Sequence, residues 1–356
     1  MANIPQFTII NLLTGFLGSG KTTLLKLMLE DPALGDTAVL INEFGEVGLD
    51  HQLVERIDDN MVLLQSGCVC CTVRGELADA LKDLHSRRER GLIPAFSRVV
   101  IESTGLADPF PVLSTIKADP VLRHHFRPGN VIATVDAVNG AAQLDTYVES
   151  NRQAAIADRL VITKSDLTTP EAYNALEARL KRINPDASII DVHDADLSVT
   201  ALMDAGAIVR GERVQSVTGF YCEDSRELVT ADGAAHSARF RSFVITVDDP
   251  IDWTAFGIWL TMLLNRHGER VLRVKGILNL AGETRPVAIH GVQHLVHTPV
   301  HMDGWTSEDR RSHIVFIVDG LDAALLKRSF EAFAATRPAP DAPAFPKHQQ
   351  NRSRST

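Results

Sequence analysis

Along the first half of the chain, short β-branched and apolar runs alternate with stretches whose apolar residues recur at helical spacing. The runs over residues 8–13, 38–42, 61–65, 98–101, 130–135, 159–163 and 189–192 predict strands. Helices are predicted over 22–29, 75–90, 147–157 and 170–182. Apolar strands that alternate with helices are what a mostly parallel sheet, covered on both faces, requires. The expected class is therefore α/β, with a Rossmann-like sheet.

The pattern changes near residue 207. Residues 211–238 are polar, with turn signals at Gly219, Asp232 and Gly233, and read as a linker or irregular edge. A smaller α+β unit is expected over 239–335, after a first domain over 1–210. Its strands are predicted at 241–247, 271–280, 286–290 and 313–318. Its helices are predicted at 251–265, with Trp253, Phe256, Leu260 and Leu263 at core spacing, and at 323–335. The tail, 336–356, is rich in proline and polar residues and is expected to be disordered.

Composition narrows the function. A chain of 356 residues with 45% hydrophobic and 23% charged residues reads as soluble and globular. The formal net charge of -9 argues against nucleic acid as the main partner, because duplex affinity comes largely from Lys and Arg contacts to phosphate. No apolar run reaches the roughly 18 to 20 residues of a membrane helix. The apolar start lacks a basic leader and runs straight into a glycine-rich motif, so a cytoplasmic protein is expected. Homo-oligomerisation is left open. Of the four cysteines, three crowd into Cys68, Cys70 and Cys71, which suits a metal or redox site better than a disulfide framework.

The glycine-rich motif is Gly15-Phe16-Leu17-Gly18-Ser19-Gly20-Lys21-Thr22, the pattern G-x-x-x-x-G-K-[ST] between a strand and a helix. Its glycines let backbone N–H groups turn toward phosphate oxygens, and the helix N-terminus adds a favourable dipole. Lys21 is expected on the β- and γ-phosphates and the Thr22 hydroxyl on Mg²⁺. The class thus sharpens to a P-loop NTPase with a smaller C-terminal domain. Glu102 ends an apolar run, where a Walker B acid near Mg²⁺ sits; Gly105 is placed to offer its N–H to the γ-phosphate.

Thr163-Lys164-Ser165-Asp166 follows another strand and is similar to the guanine-reading N-K-x-D. A buried Asp166 carboxylate would accept two hydrogen bonds from guanine that adenine cannot offer, and the Lys164 stem would cover the base. A preference for GTP over ATP of at least about 10²-fold is expected. Thr163 stands where Asn is usual, which removes one contact to the base edge.

In Gly67-Cys68-Val69-Cys70-Cys71, extended backbone would point Cys68 and Cys70 the same way. Soft thiolates suit Zn²⁺, Co²⁺ or Cu⁺, and an incomplete ligand set suits a carried metal better than a closed structural one. A redox pair and buried small side chains are the alternatives.

Together these residues resemble the CobW family of P-loop GTPases, relatives of the urease and hydrogenase accessory GTPases. The matching stretches are LLTGFLGSGKTTLL, INEFGEVGLD, SGCVCCTVRGEL, VVIESTGLADP and VITKSDL, then VLRVKGILNL, HGVQHLVH and SEDRRSHIVFIV. The resemblance implies GTP binding and slow hydrolysis that gate transfer of a transition metal, Zn or Co, to a client metalloprotein. By position it implies that Gly15, Gly18, Gly20, Lys21, Thr22 and Thr23 hold the nucleotide. Glu102 becomes the Walker B acid, Lys164 and Asp166 the base readers, and Cys68, Cys70 and Cys71 the metal loop. The segment Asn42-Glu43-Phe44-Gly45-Glu46 resembles a switch, and Glu46 is implied as a further metal ligand. Ile41 stands where some members carry an additional Glu. The histidine-rich stretch of many members is reduced here to His236.

His290, His294, His297 and His301 resemble a ligand row, but Gly291, Pro299 and the β-branched neighbours favour strand and turn. On one regular strand His290 and His294 would share a face, and His297 and His301 the other. A structural or client-facing role is expected ahead of metal binding. The competing functions are an ATP-dependent small-molecule kinase on the same fold, and a nucleotide-gated scaffold with redox-sensing cysteines.

Overall fold

The computed structural model describes residues 7–41, 62–65, 73–194, 197–204, 239–305 and 308–335. Seven strands form the first sheet: β1 (Thr8–Gly15), β2 (Thr37–Ile41), β3 (Val62–Gln65), β4 (Arg98–Glu102), β5 (Phe126–Asp136), β6 (Arg159–Thr163) and β7 (Ser188–Asp191). They lie in the order β3-β2-β4-β1-β5-β6-β7, and every pairing is parallel. Residues along each strand face opposite sides in turn. Ile10 and Leu12 enter one core with Ala38, Leu40, Val99 and Ile101; Leu13 enters the other with Val39, Val100 and Val161.

The covering helices are α1 (Lys21–Glu30), α2 (Val73–Glu89), α3 (Phe110–Ala118), α4 (Pro120–His125), α5 (Gly140–Thr146), α6 (Val148–Ile156), α7 (Pro170–Ile183) and the short α8 (Val199–Met203). The sequence reading missed α3, α4, α5 and α8. Pro109, Pro111 and Pro120 look like breakers, yet proline is tolerated in a first helical turn, where the N–H it lacks would have no intrahelical partner. Asp119 closes the gap between α3 and α4 by accepting from the N–H groups of Val121 at 2.9 Å and Leu122 at 3.1 Å. Residues 147–157, expected as one helix, contribute α6 alone, because Tyr147 is extended and breaks the path from α5.

The second sheet is antiparallel. It contains β8 (Phe240–Val247), β9 (Val271–Leu278), β10 (Val287–Val292), β11 (Leu295–Val296), β12 (Val300–His301) and β13 (Ser312–Asp319), in the order β11-β10-β9-β13-β8 with β12 on β10. Two helices, α9 (Trp253–His267) and α10 (Ala323–Ala335), cover one face, packing Phe256, Trp259, Leu260 and Phe330 against Val274, Phe316 and Val318. Leu272, Val292 and Ile317 join the core of the first sheet instead. The two sheets therefore share a packed seam.

Among the described residues, no helix is long and apolar enough to cross a membrane. The expected linker, the tail, His236 and the fourth cysteine of the sequence, Cys222, lie outside the described residues.

Candidate functional site

In a parallel sheet all strands deliver their C-terminal ends to one edge, so loops distant in sequence meet there. The loop after β1 opens α1 with Gly20 in the left-handed region at φ 86°, where a side chain would be strained; Gly15 and Gly18 also have positive φ. The Lys21 ammonium donates to the carbonyls of Gly15 at 3.0 Å and Phe16 at 3.1 Å, so it lies along the loop. Ser19 and Thr134 share a buried hydroxyl contact at 2.6 Å that fixes the loop to β5. Thr23 is on the exposed side of the first turn of α1.

Glu102 ends β4 and is 5% exposed. It lies in register with Leu13 of β1 on one side and Ile41 of β2 on the other. The Thr22 hydroxyl donates to its carboxylate at 3.1 Å. Sequence separated these groups by 80 residues, and the sheet unites them. The following turn is held by Ser103, whose N–H reaches Leu13 O at 2.9 Å and whose hydroxyl reaches Thr14 at 2.9 Å. At Gly105 the backbone passes so near the phosphate loop that a Cβ would lie 2.6 Å from the amide nitrogen of Leu17.

The segment 163–166 is also at this edge. Lys164 has φ 57° and donates to Gly18 O and to the Asp136 carboxylate, both at 2.7 Å. Thr163 uses its hydroxyl on Ser19 O at 2.8 Å, so it ties this loop to the phosphate loop instead of reaching a base. Asp166 corrects one expectation: its side chain is 57% exposed, not buried, because it occupies a single 3₁₀ turn at the sheet's rim. It faces His193 Nε2 at 3.0 Å.

Three residues here escaped sequence reading: Asp136, Gln153 and His193. Asp136 ends β5 and is buried; burial pushes its carboxyl up, but hydrogen bonds from Lys164, Asn139 and the Val138 and Asn139 amides outweigh that and hold it below the usual range. Its strand-end position in the run before Val138 was the available signal. Gln153 donates to the carbonyls of Gly105 and Ala107 at 3.1 Å each, and nothing local marks it.

Glu46, Asn42, Glu43, Cys68, Cys70 and Cys71 lie outside the described residues. Their anchors do not: Ile41 pairs with Gln65 and with Glu102, so both segments leave the sheet at this same edge. With strands about 4.8 Å apart, Gln65 lies roughly 10 Å from Glu102. Among the described residues, no group of three or more His, Cys, Asp or Glu could hold a metal ion.

The histidine row is not one strand. Gln293, at φ 49°, turns the chain between β10 and β11, and His297 N–H donates to His290 O at 2.8 Å. His290 and His297, expected on opposite faces, therefore stack at 4.8 Å, in the seam beside Lys117. His294 lies over Phe110 of α3 at 6.0 Å, and His301 is exposed on β12.

A parallel sheet with a phosphate loop after its first strand, a buried acid beside that loop and a second, antiparallel domain define the class: P-loop nucleotide-binding proteins with a C-terminal α+β extension. Residues 9–191 match the CobW/HypB/UreG nucleotide-binding domain, and residues 240–334 match the cobalamin synthesis protein cobW C-terminal domain. The chain belongs to the CobW family. It is 35% identical over 310 residues to the zinc chaperone YjiA of Escherichia coli, covering 86% of this chain and 93% of that one. Zinc chaperone CobW of Pseudomonas aeruginosa is 27% identical over 92% of this chain and 90% of its own. The crystal structure of the Zn(II)-bound YjiA GTPase from E. coli superposes with a TM-score of 0.70 and 29% identity, covering 92% of this chain and 99% of that one.

Proposed function

We propose that this protein is a cytoplasmic GTP-dependent metallochaperone, which hydrolyses GTP to GDP and phosphate and delivers Zn²⁺ or Co²⁺ to a client metalloprotein. The observation that carries this reading is the shared edge. The phosphate loop, Glu102 with Thr22, and Lys164 with Asp136 gather where β2 leads into the segment bearing Glu46 and β3 into the segment bearing the three cysteines. The names of the relatives support GTP and zinc as the two ligands.

In this reading residues 1–210 form the GTPase domain and 239–335 the C-terminal domain. Gly15, Gly18, Gly20, Lys21, Thr22, Thr23 and Gly105 hold the phosphates, while Lys164 and Asp166 hold the base. Lys21 and the loop amides stabilise charge on the γ-phosphate. The Thr22 hydroxyl and the Glu102 carboxylate are hard oxygen donors 3.1 Å apart, a set that fits Mg²⁺. Bound there, Mg²⁺ would neutralise phosphate charge. Cys68, Cys70 and Cys71, with Glu46, take the cargo metal.

The segments bearing Glu46 and the cysteines both start at the edge that carries the phosphate loop, so a change from GTP to GDP would move Cys68 and Cys70 relative to each other; metal affinity then depends on nucleotide and, by linkage, GTP affinity on metal to the same extent. A coupling of about 5- to 150-fold is expected. The test is a competition titration of Zn²⁺ and Co²⁺ under reducing conditions, with GDP and with a non-hydrolysable GTP analogue. Cys68→Ser or Cys70→Ser should abolish the thiolate site yet leave GTP binding intact. Identical metal affinities in both nucleotide states would reject the coupling.

A further inference from the structure

Helix α6 runs between the nucleotide edge and the second sheet, and two adjacent residues on it grip the same loop. Gln153 donates to the carbonyls of Gly105 and Ala107. Arg152 Nη1 donates to the Asp108 carboxylate at 3.0 Å. Asp108 spends its other oxygen on the amide of Phe110 at 2.9 Å, which starts α3. Just before α6, the Tyr147 ring packs on Phe16 of the phosphate loop at 4.5 Å. The loop from Gly105 to Asp108 is thereby held from β4, from α3 and from α6.

Arg152 does not end at that loop. Its Nη2 reaches Asp319 Oδ2 at 3.5 Å, on the last residue of β13 in the second sheet. The Asp319 side chain is 5% exposed and already accepts from Arg239 at 2.5 Å and 3.0 Å. Arg239 alone satisfies the carboxylate, so stability of the second sheet does not call for Arg152. What the contact adds is orientation: an Arg fork pinned at both ends presents its Asp108-facing nitrogen in one place.

We propose that Asp319 is a positioning residue for the nucleotide site: acting through Arg152, the second sheet sets the Gly105–Asp108 loop and so the γ-phosphate contact. This rests on the reading above, in which Gly105 meets the γ-phosphate. Its signature is specific. GDP has no γ-phosphate, so loosening this loop weakens GTP and spares GDP, whereas general loosening of the fold weakens both.

The test uses the full chain with Mg²⁺. Affinities for GDP and for a non-hydrolysable GTP analogue, and single-turnover hydrolysis, are measured for wild type, Asp319→Asn, Arg152→Gln, the double variant and Lys21→Ala. Asp319→Asn and Arg152→Gln should each lose about fivefold or more in analogue affinity and in turnover, with GDP affinity unchanged. The double variant should lose no more than Arg152→Gln, since both act along one path. If Asp319→Asn does not fold, Arg152→Gln carries the same signature. Equal loss for both nucleotides, no loss for either, or additive losses overturn the proposal. Wild-type turnover in Lys21→Ala overturns the nucleotide reading beneath it; loss there with none in Arg152→Gln overturns the relay alone.

Discussion

At the nucleotide edge, Lys164 and Asp166 are two residues apart in sequence and keep 37% and 57% of their side chains exposed. In the seam between the sheets, Arg273, Asp158 and Asp186 come from three separate stretches, and Arg273 and Asp186 keep only 1%. Arg273 meets Asp158 at 2.5 Å, Asp186 at 3.7 Å and the carbonyl of Ile156 at 2.8 Å; Lys275 meets Asp186 at 2.5 Å. The Asp158 carboxyl is held below its ordinary range: burial opposes ionisation, but Arg273 and Lys275 outweigh it. These charges at the edge remain open to solvent. Those in the seam are committed to one another, and the cost of separating them is carried by the fold.

The contrast can be broken from the seam side first. Arg273→Ala leaves two buried carboxylates with less compensation, and should cost about 3 to 5 kcal/mol in denaturant unfolding. A loss below about 1 kcal/mol would show that the seam's charges are as loosely held as surface ones. From the edge side, Lys21→Ala should lower GTP turnover by roughly 10² or more, as loss of one charge stabiliser does. Its unfolding midpoint should stay at the wild-type value, because the residue serves a loop.

The smallest effect sharpens the comparison through pH. His290 and His297 stack in the seam, facing Lys117 on α3 and Arg273, Lys275 and Asp158. Burial and then the nearby cations push His290 well below its ordinary value; burial and Lys117 push His297 down to about 3. Burial also lowers Lys117, to about 8. A ring neutral in the folded chain takes up a proton on unfolding below about pH 6.5. The stability it contributes is complete above that pH and is lost as pH falls toward the folded value. At pH 5.5 the loss should reach up to about 1.4 kcal/mol for each ring that stays neutral. His290→Gln should flatten the pH dependence of the unfolding free energy between about pH 6.5 and 5.5, and an unchanged slope would remove His290 from the account.

The central strands of the first sheet were legible because β-branched runs buried on both faces leave few polar residues, and the phosphate loop because it is contiguous. The ends of those strands were less so. β5 starts at Phe126, four residues before the expected strand, since Pro128 and Gly129 masked it. Thr163 shows how far a motif carries: the pattern is legible in the sequence, but only the structure shows the threonine hydroxyl spent on the carbonyl of Ser19. The burial assigned to Asp166 was wrong because it rested on the motif's usual chemistry rather than on its place at the rim.

By itself the sequence determined the main strands, the longer helices, their α/β order and the family, because hydrophobic period and motif spacing are local and survive without contacts. Only the tertiary structure decided which distant groups meet. Thr22 and Glu102, His290 and His297, and Asp108, Arg152 and Asp319 have no shared local signature. A charge on one helix says nothing of its partner until sheet order and the seam fix the distance between them. Burial, which follows from that packing, then decides how much it costs to separate the pair.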